Sequence, residues 1–251
     1  MKTEDLGNGQ AISQHMMATF GNLLPSTKDH GDPRYLRLIT GEMHPLGNFV
    51  FVEQANDPDA VRTALTELKD VTEPRAVLFQ GETSEAINQL VSEHGFQGPA
   101  RMPLMAVTVA DLAATPSPDG YEFVEFSSTN EEGWVGAMAE GYPIPHGLAQ
   151  IFAPSNCAQH GGSDVRFFGV TKGDQVVATS MLYCTNGLAG IYCVATIPEE
   201  RGKGLGALVT AEPLRRSGYK VGVLQSSEMG YPVYQRLGFE DLGGMSFFFQ
   251  V

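Results

Sequence analysis

The sequence predicts an α/β (α+β) protein in which a mixed, mostly antiparallel sheet is flanked by helices and preceded by a smaller α/β domain. Three observations lead there. Charge-free β-branched and aromatic runs at 191–197 and 221–224 alternate with segments whose apolar residues recur at helical spacing. Residues 165–171 and 176–183 read as strands joined through Lys172-Gly173-Asp174, a tight turn that makes them antiparallel neighbours. The stretch Pro116-Ser117-Pro118-Asp119-Gly120 is crossed by no apolar period, so it divides an N-terminal domain, 1–118, from a C-terminal one, 119–251.

In the first domain, residues 48–52 read as a strand and 57–68 as a helix. Residues 75–79 follow as a strand, 83–94 as a helix closed by Gly95-Phe96, and 104–109 as a strand. In the second, 121–126 alternates apolar and acidic residues as a half-exposed strand. Thr129-Asn130-Glu131-Glu132 opens a helix carrying Trp134, Val135 and Met138, which Pro143 and Pro145 break. A short helix over 148–152 precedes the hairpin. Pro198 ends the strand 191–197, and Leu205, Leu208 and Val209 start a helix that Gly218 stops. Strand 221–224, a helix ending at Gly238-Phe239 and a final strand complete the chain. Pro213 falls inside its helix and removes the hydrogen bond to Val209, which predicts a bend or an end at a cost of ~3 kcal/mol if unrelieved.

With 251 residues and 42% hydrophobic content, the chain can bury a core in each half. No run approaches the ~20 apolar residues of a membrane span, and Met1-Lys2-Thr3-Glu4-Asp5 is polar, so the sequence predicts a soluble cytoplasmic protein without a membrane partner. A net charge of −13 argues against nucleic acid as a partner and favours approach of a cationic amine. Cys157, Cys184 and Cys193 are odd in number and suit thiols rather than a disulfide framework. The histidines show no zinc-ligand spacing, so no metal is expected.

The segment Arg201-Gly202-Lys203-Gly204-Leu205-Gly206 reads as a phosphate cradle. Its glycines let backbone N–H groups approach a ligand at the start of a helix, and two cations stand beside it. No Ser or Thr follows Lys203 as a P-loop requires, and the spacing suits a dinucleotide fingerprint poorly. Arg215 and Arg216 add basic charge nearby or simply complement a helix end.

Arg201-x-x-Gly204-x-Gly206 after a strand resembles the acetyl-CoA motif of the GNAT superfamily of N-acetyltransferases, Arg/Gln-x-x-Gly-x-Gly/Ala. Downstream, Tyr234-Gln235-Arg236-Leu237-Gly238-Phe239 is similar to the Tyr-x-x-x-Gly-Phe that closes a helix in that family. The resemblance implies a GNAT fold for 119–251 and an acetyl-CoA-dependent N-acetyltransferase in which an amine, a small molecule or an amino terminus, attacks the thioester directly. Acetyl-CoA (coenzyme A) is then a co-substrate. Cys193, Val194, Ala195 and Thr196 would meet the pantetheine arm and the thioester carbonyl. Arg201, Gly202, Lys203, Gly204, Leu205 and Gly206 would hold the pyrophosphate, and Tyr234 would protonate the leaving thiolate. Ser227 stands where the family often has an asparagine on the cofactor, and it also reads as a helix cap.

The family often places a glutamate on the strand before the cradle, yet 188–197 contains no carboxylate, so deprotonation falls to Glu140, Tyr142, His146 or a water held by Tyr192. Residues 1–118, whose helix ends Ser92-Glu93-His94-Gly95-Phe96, resemble a degenerate GNAT-like half without a cradle, or are an unrelated α/β cap. A catalytically silent CoA-binding sensor or scaffold is the alternative function. A homodimer is compatible with the sequence.

Overall fold

The computed structural model describes residues 3–7 and 9–251. In chain order the elements are α1 (Gln10–Leu23), β1 (Tyr35–Ile39), β2 (Asn48–Val52), α2 (Pro58–Glu67), β3 (Arg75–Phe79), α3 (Glu85–Glu93) and β4 (Gln97–Thr108). They continue with β5 (Glu122–Phe126), α4 (Glu132–Gly141), α5 (His146–Ile151), α6 (Pro154–Gly161), β6 (Val165–Lys172), β7 (Gln175–Thr185), β8 (Leu188–Thr196), α7 (Leu205–Arg216), β9 (Val221–Gln225), α8 (Tyr231–Leu237) and β10 (Glu240–Gln250). All ten strands join one sheet in the order β1-β2-β3-β10-β4-β9-β8-β7-β6-β5. Among the described residues only the pairs β2/β3 and β8/β9 are parallel.

The sheet order contains an exchange between the halves. β4, from the N-terminal half, lies between β9 and β10 of the C-terminal half, pairing Leu104–Thr108 with β9 and 97–106 with β10. Reciprocally, β10 lies between β3 and β4 of the N-terminal half. The 113–118 coil that separates the halves in sequence therefore does not separate two sheets. Arg215 fixes this coil to α7, donating to Thr115 Oγ1 and to the carbonyls of Leu112 and Ala113. Arg216 lies over the Phe123 ring, 4.6 Å from its centroid, so neither arginine serves the cradle.

Side-chain alternation along each strand sorts the helices onto two faces. Val50, Val52, Val77, Phe79 and Phe248 pack with the apolar stripes of α2 and α3, and Ile191, Leu182 and Met105 with Ala211, Leu214, Tyr234 and Leu237 of α7 and α8. On the opposite face Phe49, Phe51, Leu104 and Val223 meet Ile12 and Met16 of α1, while Phe167, Met181 and Tyr183 meet Trp134, Val135 and Met138 of α4 and Cys157 of α6. Trp134 is wholly buried, its indole N–H donating to the Phe168 carbonyl at 2.9 Å.

Pro213 is buried within α7, which runs on through it from Leu205 to Arg216. The strand expected at 104–109 is longer. Its extension through Pro99 and Pro103 is paired along the ladder only with β10, because β9 reaches no further than Leu104, so the missing proline donors face no second strand.

Candidate active site

β8 and β9 start side by side, with Ala189 opposite Gly222 and Gly190 opposite Val223, and there their pairing stops. β8 continues to Thr196 along β7 alone, which leaves an open cleft between the outer part of β8 and the end of β9. Within the cleft β8 carries a bulge. Thr179 pairs with Ala195 and Met181 with Tyr192, so Ser180 faces both Cys193 and Val194. Cys193 takes φ +53°, a left-handed conformation for a non-glycine residue, and its carbonyl accepts from Thr179 Oγ1 at 2.9 Å. Sequence reasoning singled out Cys193, Val194, Ala195 and Thr196. The structure brings all four to this bulge and to the open edge beyond it.

The loop after β8 leads into α7. Gly202 and Gly204 have φ of +77° and +82°, and a Cβ on either would meet nothing within 4 Å. Among the described residues no group accepts from the backbone N–H of residues 202–207, and α7 has no side-chain cap. A Cβ on Gly206 would meet only Thr196 Oγ1, at 3.8 Å. The protein's own packing therefore does not require glycine there, whereas a ligand lying against these amides does. The row of unpartnered N–H groups at a helix start fits a pyrophosphate. Leu205 contributes only its backbone, since its side chain is in the core.

The two cations of the loop are differently placed from what the sequence suggested. Arg201 donates to the carbonyls of Thr196 (3.2 Å) and Gly141 (3.0 Å), tying the loop to the ends of β8 and α4. Lys203 pairs with Glu200, which also binds Lys172 and Tyr121. Those hydrogen bonds, with Lys172 foremost, hold the Glu200 carboxyl at about 2. The loop thus offers unpartnered backbone amides, while its two cations are engaged by protein groups beside them.

The N-terminal half shows the contrast. β2 and β3 stay paired over their full length, from Phe49/Ala76 to Val52/Phe79, so no cleft opens. The amides that start α2 are already satisfied, because the Asp57 carboxylate accepts from Asp59 and Ala60, and Pro58 has no N–H to offer. A polar hollow of about 350 Å³ at the ends of these strands is lined by residues such as Gln14, Glu53, Gln54 and Gln80, with no cation, and does not suit a phosphate.

Tyr234 of α8 is 7% exposed and packs against Phe239, ring centroids 5.8 Å apart. Its hydroxyl has no hydrogen-bond partner among the described residues, and burial raises its pKa, keeping the proton on oxygen. Tyr142, just after α4, faces the same region. Burial and the nearby Tyr234 and Cys193 raise its phenol, while the Val194 N–H opposes the shift. Gly141 permits this approach, since a Cβ there would lie 2.7 Å from Ala195 Cβ. Ser227 Oγ accepts from the Gly230 N–H at 3.2 Å and so closes the turn before α8. Tyr231 points away, donating to Asp241. Neither Glu140 nor His146 is tied to the cleft by any hydrogen bond among the described residues.

Sequence reasoning missed a cluster contributed by the other half. His15 of α1, fully buried, lies 2.7 Å through Nδ1 from the Tyr192 hydroxyl, and Thr19 Oγ1 stands 3.0 Å from the same oxygen. Burial lowers His15 from 6.5 to about 4, against the Leu188 and Tyr183 carbonyls. Because the folded value is depressed, the stabilisation is whole above pH 6.5 and is lost as pH falls toward 4, where only the unfolded chain binds the proton. Urea unfolding should lose on the order of 3 kcal/mol across that window, at ~1.4 kcal/mol per unit, and His15→Asn should flatten the loss. An unchanged slope in His15→Asn would exclude His15 as its source.

No protein-family model matches the chain, and no curated protein matches it. Solved structures do. A GCN5-related N-acetyltransferase from Kribbella flavida is 20% identical with a TM-score of 0.67, over 98% of this chain and 96% of that one. A GCN5-related N-acetyltransferase from Sphaerobacter thermophilus is 18% identical with a TM-score of 0.63, over 86% of this chain and 75% of that one. A tandem GNAT protein from the clavulanic acid biosynthesis pathway is 13% identical with a TM-score of 0.55, over 80% of this chain and 74% of that one. The fold expected from the sequence is the fold of these proteins, and the two-part architecture has a counterpart in the tandem one.

Proposed function

We propose that this chain, which has the GNAT fold, is an acetyl-CoA-dependent N-acetyltransferase acting on a small-molecule or amino-terminal amine. The observation that carries this reading is the pairing of the 202–207 amides with the splayed, bulged β8: one presents donors for a pyrophosphate, the other free backbone for a pantetheine arm. The cradle would fix the pyrophosphate and β8 the arm. The Val194 N–H, beside the bulge, would pass from the Tyr142 hydroxyl to the thioester carbonyl as negative charge develops on its oxygen.

The neutral amine nitrogen then bonds to the carbonyl carbon and the carbon–sulfur bond breaks. Tyr234 gives its proton to the departing sulfur, and the proton released by the nitrogen returns the phenol to its neutral form. A buried phenol with a raised pKa stays protonated until this moment. Tyr234→Phe keeps the ring and most of its packing, so turnover should fall ~10²–10⁴-fold with acetyl-CoA affinity nearly intact. Wild-type turnover in this variant would return Tyr234 to the core. The silent sensor or scaffold has no observation in its favour beyond the absence of a carboxylate on β8.

A further inference from the structure

The outer part of β8 has two sides. α7 and α8 occupy one face of the sheet, so an amine reaching a thioester carbonyl at the bulge would approach from the other face, which α1 and α4–α6 cover. On that face the polar side chain next to the bulge is Tyr192, packed among residues that include Phe20, Phe152 and Cys193. It is half-buried.

His15 meets Tyr192 at the apex of the cleft. Its ring lies nearly parallel to the phenol, 11° between planes, and is T-shaped to Tyr183. Gly190, the last residue of β8 paired with β9, makes room for it: a Cβ there would lie 2.4 Å from His15 Cε1 and 2.6 Å from the Tyr192 ring. The neutral imidazole has one ring nitrogen able to accept, and Nδ1 faces the Tyr192 hydroxyl. The Thr19 hydroxyl can donate either to the His15 carbonyl at 2.7 Å or to the Tyr192 oxygen at 3.0 Å, and the shorter bond goes to the carbonyl. His15 Nε2 and Gln225 Nε2 at the end of β9 make no hydrogen bond of ordinary geometry, while the Leu188 and Tyr183 carbonyls lie beside the His15 ring and the Gln225 amide beside the Tyr192 hydroxyl.

We infer that His15 is a positioning residue for the acceptor side of the site: by taking the hydrogen bond of the Tyr192 hydroxyl it turns a phenol lone pair toward the incoming amine, whose N–H donates to it. This rests on the acetyltransferase reading above. The N-terminal half, whose described residues form no such glycine loop, would then supply the group that orients the nucleophile. His15 itself takes no proton in the reaction, because burial keeps it neutral well below neutral pH.

The test is a double-mutant cycle on the full chain, with acetyl-CoA affinity, melting temperature and the kcat and KM of the best amine measured for each variant. Tyr192→Phe should lower kcat/KM for the amine roughly tenfold or more, the worth of one hydrogen bond, with acetyl-CoA affinity unchanged. His15→Leu should match that loss in the wild-type background and add nothing in the Tyr192→Phe background. His15→Asn, whose Oδ1 can stand in for Nδ1, should restore most of it at a melting temperature no higher than that of His15→Leu. Independent, additive losses would overturn the inference, as would wild-type kinetics for Tyr192→Phe. A wild type that binds acetyl-CoA yet acetylates no amine would overturn the acetyltransferase reading, and this role with it.

Discussion

Gly206→Glu should abolish acetyl-CoA binding while making the protein slightly more stable. Gly206 lies in the first turn of α7, its φ is not in the left-handed region, and a Cβ there meets only Thr196 Oγ1 at 3.8 Å. A glutamate in a first helical turn gains helix propensity, ~0.5–1 kcal/mol over glycine, and a favourable position at the positive end of the helix. It would place a carboxylate where the ligand's phosphates sit, much as Asp57 closes the start of α2 in the N-terminal half. Losing two or more charge-assisted hydrogen bonds, each worth ~1.5–3 kcal/mol, lowers affinity by more than ~100-fold. Calorimetry with acetyl-CoA and a thermal melt check both halves of the expectation. Unchanged affinity in a folded Gly206→Glu would remove the cradle from the site.

A fragment containing only 119–251 should fail to fold. The length is ordinary for a domain, and the motifs all lie within it. The sheet, however, places β4 between β9 and β10, so the fragment loses the pairing of Leu104–Thr108 with β9 and the long ladder to β10. β10 would also lose β3, leaving both of its edges and one edge of β9 unpaired. Leu104, Ala106 and the α1 residues Ile12 and Met16 leave Val221, Val223 and Leu188 uncovered. Circular dichroism and dye binding should report a collapsed or aggregating chain without a cooperative melt. A cooperative transition near that of the full protein would contradict the exchange of strands.

Most of the order of the C-terminal elements and the glycine loop were legible because each is local, but α6, Pro154–Gly161, went unread. β2 and β3 fall at the predicted residues, and Gly202, Gly204 and Gly206 sit at the predicted loop. α1 went unread although Ile12, Met16, Phe20 and Leu23 repeat at helical spacing, because its N-cap is Gly9, it has no acidic first turn, and Gly21 lies inside it. β1 went unread although Gly31-Asp32-Pro33 precedes it and Gly41 follows it, because Arg37 interrupts its five-residue apolar run. The exchange of β4 and β10 is a matter of which strand fills which gap, and no spacing in one sequence encodes that. For the same reason His15 could not be tied to Tyr192, 177 residues away. Arg201 and Lys203 were legible as basic residues beside a loop. Their partners, the Thr196 and Gly141 carbonyls and Glu200, are set by tertiary packing.

The most direct measurement is release of free coenzyme A thiol from acetyl-CoA against a panel of primary amines, with the acetylated product counted in the same reaction. The account predicts thiol release that depends on at least one amine, matches the product one for one, and disappears in Gly206→Glu. Tight binding of acetyl-CoA with no amine-dependent thiol release would contradict it, leaving a protein that binds the cofactor and transfers nothing.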